Sequence, residues 1–228
     1  MARRSYDQFC GLARALDVVG ERWTLLLVRN LLLGPRRYGE LLQELPGITT
    51  NLLAKRLAEL EASGLIERQA RPSPGGDVAV YTLTADGAAL EPAIHALAGW
   101  GGRWLGRPRA SDTLDLGWGM LSLKRRYRGG LHGALAFVVD TVRGPRRYTL
   151  RFDGAAMTVR DAAADPASDA VDGTMDSAPI DAEVTTDAET LRAVFMAGDH
   201  EARHRLRVTG NRRFVEEVLD ALAPPRGG

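Results

Sequence analysis

Between residues 36 and 83 the apolar positions change rhythm in a definite order. Tyr38, Leu41 and Leu42 fall at i, i+3, i+4, the spacing of one buried helical face. Pro46-Gly47 then interrupts, because proline removes an amide donor and glycine tolerates positive φ. Leu53, Leu57 and Leu60 follow at i, i+4, i+7 and predict a second helix from about Thr50 to Ala62. Thr49 is placed to cap it and Ser63-Gly64 to end it. Leu65 to Arg68 and Val78 to Leu83 are short β-type runs around a Pro/Gly-rich tip, Ala70 to Asp77. The order helix, turn, helix, hairpin is that of a winged helix-turn-helix, whose second helix fits the DNA major groove.

A long helix is expected next, from Ala85 to Trp104, with Thr84 as its cap. Leu90, Ile94, Leu97, Gly101 and Trp104 repeat at 4, 3, 4, 3, the seam of a two-helix contact, and predict a dimer interface to which Leu12, Leu16 and Val19 add; the alternative is a stripe packed inside its own subunit, against the second half of the chain. The character changes after Gly106-Arg107-Pro108, which sets expected domains at 1–107 and 112–224. Residues 115–127 read as a helix and 134–139 as a strand. Residues 147–152 alternate polar and apolar, and Asp153-Gly154 turns them into a hairpin with 155–159. Residues 161–181 hold six aspartates and read as an irregular solvated stretch. Strand 181–186, helix 188–197, strand 206–210 and helix 212–222 close the chain. The expected class is α+β: a mainly helical winged unit followed by an α/β unit.

The outward side of the second helix carries Thr50, Asn51, Ala54, Lys55 and Ala58, small or hydrogen-bonding residues of the kind that meet base edges. Arg36 and Arg37, taken as opening the first helix, and Arg68 and Arg71 on the wing flank the same face and are positioned to clamp phosphates.

Residues 9 to 105 resemble the HxlR-type winged-helix regulators of bacteria. The likeness is carried by Cys10, Ala15-Leu16-Asp17, Gly20-Glu21-Arg22-Trp23-Thr24-Leu25-Leu26 and Gly34-Pro35-Arg36-Arg37-Tyr38-Gly39-Glu40-Leu41. It continues through Leu45-Pro46-Gly47-Ile48, Arg56-Leu57-x-Glu59-Leu60, Gly64-Leu65-Ile66-Glu67-Arg68 and Tyr81-x-Leu83-Thr84. Such a resemblance implies a homodimer on double-stranded DNA, at a pseudo-palindromic operator. The expected DNA-contacting set is Arg36, Arg37, Tyr38, Thr49, Thr50, Asn51, Lys55, Arg56, Arg68 and Arg71. Family members often carry Ser-Pro where this chain has Thr49-Thr50, which keeps the cap and loses a proline at the first helical position.

The tail, 112–224, is similar to the sterol-carrier-protein-like fold, through Asp187-x-Glu189-Thr190-Leu191 and Leu206-x-Val208-x-Gly210. That resemblance implies an apolar small-molecule effector, with Trp118, Leu121, Phe137, Phe195 and Met196 as lining residues. The bland alternative is that these are ordinary core positions.

Composition adds little. Net charge is +1, with 14 Lys/Arg against 11 Asp/Glu in residues 1–110 and 16 against 18 in the remainder, a weak basic bias in the DNA-binding half. A single cysteine excludes an internal disulfide framework, and Cys10 is expected as a small buried residue packing the first helix; the alternative, from the family resemblance, is a redox switch bridging to a partner subunit or a small thiol. No run approaches the ~20 apolar residues of a membrane span and MARRSYDQ lacks a signal-peptide core, so no membrane association and a cytoplasmic location are expected. His200-Glu201-Ala202-Arg203-His204 matches a zinc-protease signature, but Gly198-Asp199 before it and the run 206–208 after it leave barely two helical turns, and neither a metal nor any other cofactor is assigned. The chain therefore reads as a non-enzymatic, ligand-responsive regulator. The alternative is a carrier or enzyme of hydrophobic substrates that uses the winged helix only for assembly.

Overall fold

The computed structural model describes residues 5–72, 76–106, 108–109, 111–142, 144–162 and 179–224. It divides into two compact units, Met1–Leu114 and Asp115–Gly228. Most of the acidic stretch expected at 161–181, and part of the wing tip, lie outside the described residues.

In the first unit α1 (Gly11–Val19) and α2 (Thr24–Leu31) precede a two-residue strand β1 (Arg36–Arg37), then α3 (Tyr38–Glu44) and α4 (Thr50–Ala62). The wing is β2 (Ile66–Arg71) and β3 (Val78–Leu83), antiparallel, with β1 on the far edge of β3. Thr49 caps α4 by accepting the Leu52 amide at 3.3 Å. At the other end Gly64 takes a φ of +72°, a left-handed conformation that glycine adopts without the strain of a Cβ. The apolar stripe behaves as its spacing dictates: Leu53, Leu57 and Leu60 are buried with Leu27, Val28, Leu31 and Leu41 in one core.

The helix expected over 85–104 is interrupted. The segment forms α5 (Ala85–Ala88), α6 (Glu91–Gly101) and a single 3₁₀ turn, Gly102–Trp104. Pro92 explains the break, since it has no N–H to give the carbonyl four residues back. Thr84 caps the first piece, accepting the Gly87 amide at 3.2 Å. Gly87 is fixed by a close approach: a Cβ there would lie 2.0 Å from the Leu65 carbonyl oxygen. The expected dimer seam is divided as well, within α6 itself. Leu90 and Ile94 pack on the core of their own unit, whereas Leu97, Trp100 and Trp104 are 51%, 59% and 64% exposed.

The second unit is a five-stranded sheet in the order β6-β5-β4-β7-β8, formed by β4 (His132–Asp140), β5 (Arg146–Asp153), β6 (Met157–Asp161), β7 (Ala182–Asp187) and β8 (Arg207–Gly210). All neighbours are antiparallel except β4 and β7. Helices α7 (Leu116–Leu123), α8 (Ala188–Arg192) and α9 (Arg212–Ala221) accompany it. The helix expected over 188–197 is α-helical only to Arg192, and Ala193–Ala197 form one π turn. The side chains of Leu135, Phe137 and Val139 share a sheet face with Tyr148, Leu150 and Phe152 and are buried. Phe137 meets Phe195 edge-to-face at 5.8 Å and Phe152 meets Phe214 at 6.0 Å, so this face carries the core. Ala134 and Ala136 lie on the opposite face, and there Arg147 and Glu183 form an ion pair at 2.5 Å, reaching from β5 to β7 across β4.

Candidate nucleic-acid interface

Helix α4 presents Thr50, Asn51, Ala54, Lys55 and Ala58 outward, all exposed, while its leucine stripe is buried. Lys55 has Glu59 at 3.8 Å, an exposed i,i+4 pair of small energetic weight. The start of the helix is held from α3: the Tyr38 hydroxyl donates to the Thr50 carbonyl at 2.7 Å. Tyr38, expected among the DNA contacts, has its hydroxyl engaged in fixing α4. Thr49 is exposed and spends its hydroxyl on the cap. On the wing Arg68, third in β2, is exposed and Arg71, its last residue, is half-buried.

Two of the expected DNA-contacting residues are not surface groups. Arg36 lies on β1 rather than on a helix, and is 1% exposed. Its Nε donates to the Glu44 carboxylate at 3.0 and 3.2 Å and its Nη1 to the carbonyls of Pro35 and Gly34 at 3.1 and 3.4 Å. Asn30 adds a third donor to the same carboxylate at 3.0 Å. Arg56 is 6% exposed, with Nη2 on Glu21 at 2.6 Å, Nη1 on Glu59 at 2.5 Å and Nε on the Arg22 carbonyl at 3.2 Å. Turning either guanidinium out to a phosphate would break these internal bonds, to the largely buried Glu44 carboxylate for Arg36 and to the half-exposed Glu21 and Glu59 carboxylates for Arg56. Both guanidiniums are engaged within their own unit. Arg37 is half-buried, and its backbone amide donates to Glu40 at 2.6 Å in the first turn of α3.

These geometries were hidden from sequence reasoning for a simple reason. A basic residue beside a docking face reads as a surface charge until its acid is located. The acids, Glu44 and Glu21, lie eight and 35 positions away in sequence.

The sequence comparisons agree with the fold. An HxlR-like helix-turn-helix model matches residues 18–109. The HTH-type transcriptional regulator sll1512 of Synechocystis is 36% identical over 110 residues, covering 48% of this chain and 81% of that protein. The chain belongs to the HxlR family. YodB of Bacillus subtilis, also an HTH-type transcriptional regulator, is 37% identical over 86 residues, 38% of this chain and 76% of YodB. The solved structure of reduced YodB is 31% identical, covers 45% of this chain and 100% of its own, and has a TM-score of 0.38. Family membership makes the first 110 residues the DNA-binding part of a transcriptional regulator. The family match ends at residue 109.

Cys10 differs from expectation. It is exposed, at the position that caps α1, and not packed inside. Backbone hydrogen bonds from Ala13 and then Leu12 hold its thiol below the ordinary cysteine range. The anion is favoured there because the first amides of a helix have no partner within it.

In the second unit Leu121, Phe137 and Phe195 are buried and Trp118 is half-buried. Met196 is 49% exposed, because the widened π turn directs Val194 and Phe195 inward and Met196 out. Ala136, a neighbour of Phe137 in sequence, faces the other side of the sheet. The His-Glu-x-x-His run forms a 3₁₀ turn, Glu201–Arg205, with both histidines exposed. At three residues per turn, positions i and i+4 do not share a face as the zinc signature requires. No helix among the described residues is long and apolar enough to cross a membrane.

Proposed function

We propose that the chain is a homodimeric, sequence-specific DNA-binding regulator in which α4 enters the major groove and Asn51 and Lys55 read base edges. The observation that carries this reading is the face of α4: exposed, free of large apolar groups, and on a helix fixed at its start by Thr49 and Tyr38. Asn and Lys are donors suited to adenine and guanine edges. Thr50 lies at the same end of the helix, and Arg37, Arg68 and Arg71 supply phosphate contacts around it. Replacing Asn51 or Lys55 by Ala should weaken binding to a duplex selected from a random pool by about 1–3 kcal/mol each. A folded double variant that binds that duplex as the wild type does would remove α4 from the reading role.

A second copy of the chain completes the molecule. Leu97, Gly101 and Trp104 on the α6 segment, with Leu12 and Leu16 on α1, form the proposed two-fold contact. Support comes from their composition: Leu12, Leu16, Leu97, Trp100 and Trp104 are exposed large apolar residues, which a lone protein seldom displays in groups. The Trp rings are 4.3 Å apart with Arg103 stacked 5.0 and 5.6 Å from them, a preformed amphipathic ridge.

The second unit is proposed to be a sterol-carrier-like sensor of an apolar effector, bound between the sheet face of Phe137 and the helices of Leu121 and Phe195. The support is a sheet face of buried apolar side chains, polar only at the end that carries Arg146, Asp161 and Thr186, and backed by helices. Organic-solvent extraction of the purified protein, followed by mass spectrometry, tests it. An extract without any apolar compound, together with DNA affinity that no such compound alters, sinks the sensor role and leaves a structural module.

A further inference from the structure

Seen from α4, the turn between α1 and α2 is unusual. Trp23 has a φ of +79°, a left-handed conformation that a bulky residue adopts only when its surroundings hold it there. Its ring lies over Gly47, where any Cβ would sit 3.6 Å from the indole, so the turn meets the chain just before α4. The same turn meets α4 again at its middle, because Arg56 takes the Glu21 carboxylate and the Arg22 carbonyl, while a third bond ties it to Glu59 one turn on.

We propose that Arg56 and Glu21 are positioning residues for sequence reading, fixing the rotation and register of α4 against the α1–α2 turn without touching DNA themselves. The proposal rests on the reading of α4 as the recognition helix. Its physical basis is the difference between the two kinds of contact that hold α4. The leucine stripe is attracted inward without a preferred direction, so it tolerates small rotations about the helix axis. A guanidinium held at its three nitrogens by three acceptors, Glu21, Glu59 and the Arg22 carbonyl, does not, since hydrogen bonds weaken with angle. With side chains reaching about 5–6 Å from the axis, a rotation of about 10° moves the tips of Asn51 and Lys55 by about 1 Å, as much as separates a good base contact from none.

The test uses the full chain, a duplex selected by the wild type from a random pool, and a random duplex of equal length. For Arg56→Lys, Arg56→Met and Glu21→Gln one measures the thermal midpoint, both affinities, and the salt dependence of binding. Glu21 is half-exposed, so Glu21→Gln keeps the protein folded even if Arg56→Met does not. The expected result is a fall of about tenfold in the ratio of selected to random affinity, with random-duplex affinity and salt slope unchanged. An unchanged ratio in folded Glu21→Gln and Arg56→Lys overturns the proposal, leaving a purely structural pair. A salt slope lower by about one in the Arg56 variants also overturns it, since that marks a lost phosphate contact. Asn51→Ala/Lys55→Ala runs alongside: if that variant keeps full discrimination, the recognition-helix reading has failed and the proposal falls with it; if it loses discrimination while Glu21→Gln does not, the positioning claim alone has failed.

Discussion

Arg36→Met separates the internal from the surface reading of this arginine. Methionine keeps most of the length and apolar bulk of the side chain and deletes the guanidinium. In the native unit that group gives two bonds to Glu44 and reaches two backbone carbonyls, all with Arg36 at 1% exposure. Deleting it takes both Arg36 hydrogen bonds and its charge away from the Glu44 carboxylate, whose side chain is 17% exposed. Breaking one side of a buried pair costs about 3–5 kcal/mol, most of it the charge left behind. For a unit of this size that corresponds to a fall of about 12 °C or more in midpoint. Arg36→Met/Glu44→Leu removes both charges and should recover much of the loss, because the penalty belongs to the orphan and not to the missing pair. Urea unfolding and thermal melts of the full-length variants give the numbers. The reasoning is refuted if the single variant loses less than about 1 kcal/mol, or if it leaves stability intact while lowering the salt slope of DNA binding by about one, the mark of a lost phosphate contact.

Leu97→Glu places a charge in the proposed two-fold contact and should convert the protein to monomers in sedimentation at micromolar concentration, with the monomer still folded because Leu97 is exposed; a wild-type monomer under the same conditions contradicts the assembly. Cys10 should be alkylated by iodoacetamide with a pH midpoint below that of the urea-unfolded chain, since the helix amides favour its thiolate. The sign for stability follows: with the folded pKa depressed, the contribution is fully present above the unfolded value of about 8.5 and is lost as pH falls through the lower folded value. Equal midpoints in folded and unfolded protein would remove the helix-terminus effect. Asp187→Ala should cost about 0.5–2 kcal/mol, because Asp187 accepts the Thr190 amide and hydroxyl, each at 2.8 Å, at the start of α8. Those bonds hold its carboxyl below the usual range, so the contribution fades in acid as pH falls below the ordinary aspartate value of about 3.9; a melt that does not move on substitution contradicts it.

Local chemistry was legible in the sequence wherever one helical period and its end signals agreed. Helix α4 runs from Thr50 to Ala62 with the cap at Thr49 and the left-handed Gly64, as its leucine spacing and Ser63-Gly64 dictate. The strands of the second unit fall within two residues of the alternating runs. What was not legible depended on partners remote in sequence. Arg36 and Arg56 look like surface cations until Glu44 and Glu21 are brought beside them. The seam at 90–104 is periodic enough for one helix, but the helix is interrupted before Pro92, and Leu90 and Ile94 meet core partners of their own unit that lie far off in sequence. Cys10 carries no local signal of exposure: a free cysteine is usually buried, yet the start of α1 leaves this one outside.

The most direct test of the account is a hydroxyl-radical footprint of the full-length protein on the duplex it selects. Two α4 helices related by a two-fold axis should protect two segments about 10 base pairs apart, centred on an inverted repeat, and the Asn51→Ala/Lys55→Ala variant should lose that protection. A single protected segment, or a pattern that the double variant leaves unchanged, would contradict it.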